Sequence, residues 1–177
     1  MTNEKYGYEM TDIIYTTLKQ IRAHSPCEDG YKKLCKYLGG IEKYGEDTPV
    51  TFKQIYDSNG YDDTLWCLRT VDEKLFPLWR HFACDAADDV RHLMIDDRSL
   101  NAIDVARRFA DGLATEEELT AARAAAWDAA RAAARAAAGA AAGDAARDAA
   151  GAAAGDAQMQ RLFKYCETGE RVMGEIK

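Results

Sequence analysis

His81, Asp85, Asp88 and His92 follow one another at intervals of four, three and four residues. On a helix these offsets fall on one narrow face, and imidazole and carboxylate groups at such spacing are donors for a divalent metal. One helix cannot close four ligands around one ion, however. A solvated helix face predicts the same residues, so the set reads as a polar surface with no metal. The five cysteines, Cys27, Cys35, Cys67, Cys84 and Cys166, are odd in number and form no Cys-x-x-Cys pair. They read as reduced, buried thiols. The chain has no Gly-x-Ser-x-Gly, His-Glu-x-x-His, phosphate-loop lysine or Gly-x-Gly-x-x-Gly motif. It therefore reads as non-catalytic, with no cofactor.

Charge is more informative. The chain of 177 residues carries a net charge of −7. Residues 57–118 contain 15 acids against 7 bases, whereas the flanking segments are nearly balanced. The excess gathers at Asp85, Asp88, Asp89, Asp96 and Asp97. It argues against direct nucleic-acid or anionic-membrane binding. It suits a basic protein partner through steering and complementarity. The predicted partner-binding surface is Asp85, Asp88, Asp89, His92, Asp96 and Asp97. Plain solubility is the alternative explanation.

The elements that must position these residues all read as helix. A stretch from Thr11 or Asp12 carries Ile13, Ile14, Leu18 and Ile21. Ser25-Pro26-Cys27-Glu28 has the form of a capping box with proline in the first turn. It opens a stripe of Tyr31, Leu34, Cys35 and Leu38 that Gly39-Gly40 ends. Thr51-Phe52-Lys53-Gln54 is a second box, for a helix ending at Gly60. Asp62 or Asp63 opens another, around Leu65, Trp66 and Leu68, with Trp66 in the core. A longer helix is predicted from Asp72 to Ile95, with Pro77 near its start. Its stripe is Leu75, Trp79, Phe82, Ala86, Val90 and Leu93. Ser99 is predicted to cap the next helix, which ends at Gly112. Thr115-Glu116-Glu117-Glu118 is a third box, with acids at the positive end of the dipole. Period-two alternation is absent over useful lengths, so no strand is expected.

From Ala121 to Ala157, 24 of 37 residues are alanine, and every fourth residue differs: Arg123, Trp127, Arg131, Arg135, Gly139, Gly143, Arg147, Gly151 and Gly155. Alanine makes helix the expected state. Four residues turn a helix about 400°, so the odd residues drift around it and leave no single anchoring stripe. A continuous helix from Glu116 to Thr168 would be about 80 Å long. We expect a break between Ala138 and Asp156, at the glycines, giving antiparallel helices; the alternative is a projecting rod. Met159, Leu162, Phe163 and Cys166 restore an ordinary stripe. Gly-x-x-x-Gly at 139–143 and 151–155 is a by-product of the repeat. No Ser or Thr lies in the tract to give it an ice-binding face. A helix-turn-helix over residues 99–126 is disfavoured by the acids opening its second helix.

The fold expected is all-α: one domain over residues 1–177, a compact multi-helix bundle with a large-residue core to residue 115. A long Ala-rich C-terminal helix, or a broken helix pair, spans 116–177. The polar start and the charged alanine tract predict no secretory leader and no membrane span, hence a cytoplasmic protein.

Gly60-Tyr61-Asp62-Asp63-Thr64-Leu65-Trp66-Cys67-Leu68-Arg69, Asp89-Val90-Arg91-His92-Leu93, the stretch from Ala102 to Gly112, and Thr115-Glu116-Glu117-Glu118-Leu119 leading into alanine tetrads resemble the alanine-rich immunity proteins of bacteria and phages. The opening IRAHSPCEDGYKKL is similar to phage-encoded members. The likeness covers most of residues 18–160. It departs where glycines replace the Trp or Arg of other members' tetrads. The resemblance implies a small cytosolic protein that binds and neutralises another protein, a toxin or a defence nuclease, with no catalytic residues. A phage counter-defence factor such as an anti-CRISPR is the same class. The alternative is a structural or assembly protein that self-associates, as a homodimer or larger, through its alanine helices.

Overall fold

A computed structural model of the chain describes residues 2–3, 8–9, 14–137 and 144–171. Its architecture is all-α, with nine α-helices among the described residues. These residues group into two compact units, residues 1–75 with 159–177, and residues 76–158. The change of composition near residue 115 is not a structural boundary. Helices on its two sides pack together, as set out below.

The first unit contains α1 (Leu18–Ala23), α2 (Glu28–Tyr37), α3 (Ile41–Tyr44), α4 (Phe52–Asn59), α5 (Tyr61–Cys67) and the end of α9 (Asp144–Thr168), from Met159 onward. It also holds four short strands, against the expectation of none. β1 (Thr2–Asn3) pairs antiparallel with β2 (Tyr8–Glu9), and β3 (Tyr15–Thr17) with β4 (Pro49–Thr51). Runs of two or three residues are too short for alternation to register in sequence. Their β-branched content, Thr16, Thr17, Val50 and Thr51, was the local signal. Consequently α1 does not begin at Thr11 or Asp12. Residues 11–13 lie outside the described residues, Ile14 is non-helical, and Thr17 caps α1 by accepting from the Gln20 amide. Pairing satisfies the strand backbone before a helix can claim it.

The box at Ser25 also fails. Ser25 takes the left-handed conformation at φ 54°, and Cys27 is the N-cap of α2, without a side-chain bond. The box at Thr51 is complete. The Thr51 hydroxyl accepts from the Gln54 amide, and the Gln54 side chain accepts from the Thr51 amide. Gly39 and Gly40 follow the last turn of α2 at φ 90° and 94°, as a helix stop requires.

The buried side chains of this unit include Leu18, Ile21, Leu34, Val50, Phe52, Ile55, Met159, Leu162, Tyr165 and Cys166. The Ile14 amide donates to the Cys166 carbonyl at 2.7 Å, and Tyr56 meets Phe163 edge to face. The buried hydroxyls of Thr16 and Thr70 lie 2.7 Å apart, and Thr70 donates to the Cys67 carbonyl. Four cysteines are buried, as read; Cys27 is exposed.

The second unit contains α6 (Phe76–Asp88), α7 (Asp97–Ala110), α8 (Glu116–Ala137) and the first part of α9. The helix expected over 72–95 is shorter. A three-ten turn at Glu73–Leu75 precedes it, Pro77 lies in its first turn, and it stops at Asp88. α7 packs on both α6 and α8. Val105, Leu119 and Ala122 form its buried seam with α8, flanked by Phe109. The box at Thr115 is complete, with the Thr115 amide donating to Glu118 and the Glu118 amide to Thr115.

The alanine tract corrects two expectations. α8 does have an anchoring stripe: Leu119, Ala122 and Ala129 are buried, with Ala126 half-buried between them. Two or three alanines in every tetrad of α8 put methyl groups on each face, so the neighbouring helix selects one and leaves Arg123, Trp127 and Arg131 exposed. Gly151 and Gly155 do not break α9, which is continuous from Asp144 to Thr168. Each glycine costs about 1 kcal/mol against alanine, which the surrounding helix formers and the buried Met159–Cys166 end offset. A side chain at Gly151 would meet nothing within 4 Å, so this glycine permits no close approach within the chain. Gly139, Gly143 and the expected break there lie outside the described residues. None of the helices, over the described residues, is long and apolar enough to cross a membrane.

Candidate functional site

Between α6 and α7 the chain makes a connection from Asp89 to Asp96, with one three-ten turn at Arg91–Leu93. This connection and its flanks contain all six predicted partner-binding residues. The structure sorts them into two groups.

Asp85, Asp88 and Asp96 hold the fold together. Arg107 of α7 donates to Asp85 at 2.9 Å and to Asp88 at 2.8 Å, so one guanidinium joins two carboxylates of α6. Arg91 donates to Asp88 at 3.2 Å and grips Asp104 with a two-pronged pair at 2.9 and 3.0 Å. The planar fork matches the carboxylate, which gives the contact a defined orientation. Asp96 caps α7 by accepting from the Arg98 amide at 2.9 Å, and it also pairs with the Arg98 guanidinium. That side chain, with the amide, holds the Asp96 carboxyl below the usual carboxylate range. The cap is thus Asp96 and not Ser99, which lies in the first turn of the helix. An ionised carboxylate competes better than a hydroxyl for amides at the positive end of the dipole.

Asp89, His92 and Asp97 are exposed. His92 is not on the same helix face as His81, because α6 ends four residues before it. His81 itself is only 1% exposed, with its Nε2 3.2 Å from the Asp111 carboxylate. The single polar face of four residues therefore does not exist: one member is core, two are ion-paired and one sits beyond the helix. Among the described residues, no three His, Cys, Asp or Glu side chains are placed to hold a metal.

Two side chains outside the predicted site stand out. Ile95 is 98% exposed and Leu93 68%, between exposed acids on either side. Leu93 was expected on a buried stripe, which ends when the helix does. The signal for an early end was Asp96-Asp97-Arg98-Ser99, whose first aspartate can serve as an N-cap. Arg91 and Asp88 are three residues apart, but the contacts of Arg91 with Asp104 and of Arg107 with Asp85 and Asp88 carried no local signal, since those partners are distant in the chain.

The Arg91 pair, more than the nearby charge of Arg107 and Arg108, lowers the Asp104 carboxyl below its ordinary value of 3.8. A carboxylate depressed in the folded state adds stability above its unfolded pKa and loses it as pH falls through the folded one. The Arg91 clamp is thus expected to be whole above about pH 4 and to release below it. Carboxyl carbon NMR titration of Asp104 tests this. A midpoint at the free value, unchanged by Arg91→Ala, would show that the clamp does not form.

No family model, curated protein or solved structure matches the chain.

Proposed function

We propose that this protein is a non-catalytic inhibitor that binds a basic protein target in the cytoplasm, through the connection at residues 89–97. The single observation that carries the reading is Ile95, a bare isoleucine on a clamped loop. An apolar side chain left in water is normal when scattered, but Leu93 and Ile95 stand two residues apart within an acidic rim. Apolar anchors ringed by charge are the arrangement of an interface hot spot. Arg91 and Asp96 pre-order the loop, which reduces the entropy lost on binding. The acidic excess of residues 57–118 complements a basic surface and steers its approach. The resemblance to alanine-rich immunity proteins supports the same class, with a toxin or a defence nuclease as target.

The test is an affinity pull-down of the tagged chain from host lysate, followed by binding measurements with the recovered partner. Ile95→Ser with Leu93→Ser should weaken binding at least tenfold. Asp89→Lys with Asp97→Lys should do so mainly through a slower, less salt-sensitive association. The serine pair should leave melting unchanged, whereas Asp97→Lys should lower it slightly, because it places a cation in the first turn of α7. Reversing Asp85 or Asp88 would instead report on folding, because both hold Arg107. If only the chain itself came down, or both variants bound normally, the inhibitor reading would give way to self-association through the alanine helices.

A further inference from the structure

The first unit contains a pocket of about 120 Å³ between α1, α2, α4 and α5. That is close to the space a benzene-sized group fills. Its walls are mainly apolar, from Ile21, Leu34, Ile55 and the half-buried ring of Trp66, with the Asp63 carboxylate as the ionic group. Trp66 therefore lines a cavity and does not close the core, as the sequence suggested it would.

Three features show that the carboxylate is positioned and not merely present. Asn59 donates through its Nδ2 to Asp63 at 2.7 Å and to the Gly30 carbonyl at 2.8 Å, so one amide ties α5 to α2. A neutral amide holds Asp63 without cancelling its charge, and no ion pair among the described residues includes it. Gly30 sits in the third position of α2, where glycine disfavours the helix. A methyl group there would lie 2.8 Å from the Cys27 Sγ and 2.9 Å from Asp63 Oδ2. Glycine is what lets the thiol and the carboxylate converge at this wall. Finally, burial and then the negative field of Asp63, against the smaller opposing field of Arg69, push the Cys67 thiol up to about 12, so this wall offers a neutral thiol beside the carboxylate.

We propose that this pocket binds a compact organic cation, with an apolar body no larger than about one aromatic ring and an ammonium head paired to Asp63. The apolar walls take the body, and the carboxylate selects the charge. This inference is independent of the loop at 89–97.

The experiment titrates benzylamine into the purified full chain by calorimetry, beside benzyl alcohol as its uncharged analogue. The amine should bind saturably and at least ten times more tightly than the alcohol. Asp63→Asn, which keeps the shape and the contact with Asn59, should remove that preference. Position is read at Cys27, the exposed cysteine: bound benzylamine should slow its alkylation by iodoacetamide severalfold. Equal affinities for amine and alcohol, an unsaturable amine signal, or an unchanged alkylation rate would each overturn the proposal. If Asp63→Asn did not fold, the comparison of amine with alcohol on the unaltered chain would decide by itself.

Discussion

Phe52→Ala is expected to lower stability by about 3–5 kcal/mol. Phe52 is 1% exposed and is the first residue of α4, directly after the last residue of β4. Removing the ring deletes its transfer free energy and leaves a cavity that the surrounding side chains cannot fill without moving. The position is doubly sensitive because the Thr51–Gln54 box fixes where the helix starts, so the backbone cannot slide to close the gap. Against a total of about 5–15 kcal/mol for a typical domain, this loss approaches unfolding of the first unit. Urea denaturation followed by circular dichroism measures it. Lys53→Ala, one residue on, removes only an exposed pair with Asp57 and should change stability by less than about 0.5 kcal/mol. A Phe52→Ala loss below 1 kcal/mol would mean that the side chain is not part of a packed core.

Arg107→Ala is expected to cost about 2–4 kcal/mol, at the low side of values for breaking a buried pair because the site is not fully enclosed. Its guanidinium joins Asp85 and Asp88, and the Asp85 side chain is only 11% exposed. Deleting the cation leaves Asp85 with its desolvation penalty and without that attraction. The double variant Arg107→Ala, Asp85→Ala should lose less than the sum of the two single losses, since removing both charges also removes the carboxylate that lost its guanidinium. The effect should reach the loop. Asp88 serves Arg107 and Arg91 together, so releasing one partner loosens the clamp that sets Leu93 and Ile95. Partner binding should therefore weaken even though Arg107 is not itself a predicted contact. Additive losses in the cycle would show that the two side chains act separately.

Much of the fold was legible because its signals are local. Thr51 with Gln54, and Thr115 with Glu118, are caps made within three residues of each other, and both form as read. Glycines after α2 and α4 stop those helices, since their positive φ needs no partner from elsewhere. Of the stripe Met159, Leu162, Phe163 and Cys166, all but the half-buried Phe163 are buried as the spacing implied; Tyr165, fully buried beside them, was missed because its phenol masked its role. Alanine content alone was enough to make α8 a helix.

What the sequence could not determine depends on neighbours distant in the chain. A solvated helix and a helix cut short at Asp88 are written with the same acids; only the reach of Arg107 and Arg91 from other elements separates structural carboxylates from surface ones. His81 looked like an exposed polar residue, but packing buries it, with its ring beside the exposed carboxylate of Asp111. The face that α8 presents was undetermined because every face is methyl, and α7 chose it. The strand at Tyr15–Thr17 exists only because Pro49–Thr51 lies opposite. Residue types and spacing thus determined most of the helices and the glycine stops after α2, α4 and α7, but not the short α3 or the early end of α6. The pairing of charges and the exposure of Ile95 were decided by tertiary packing, because burial and ion pairing are set by what arrives from elsewhere in the chain.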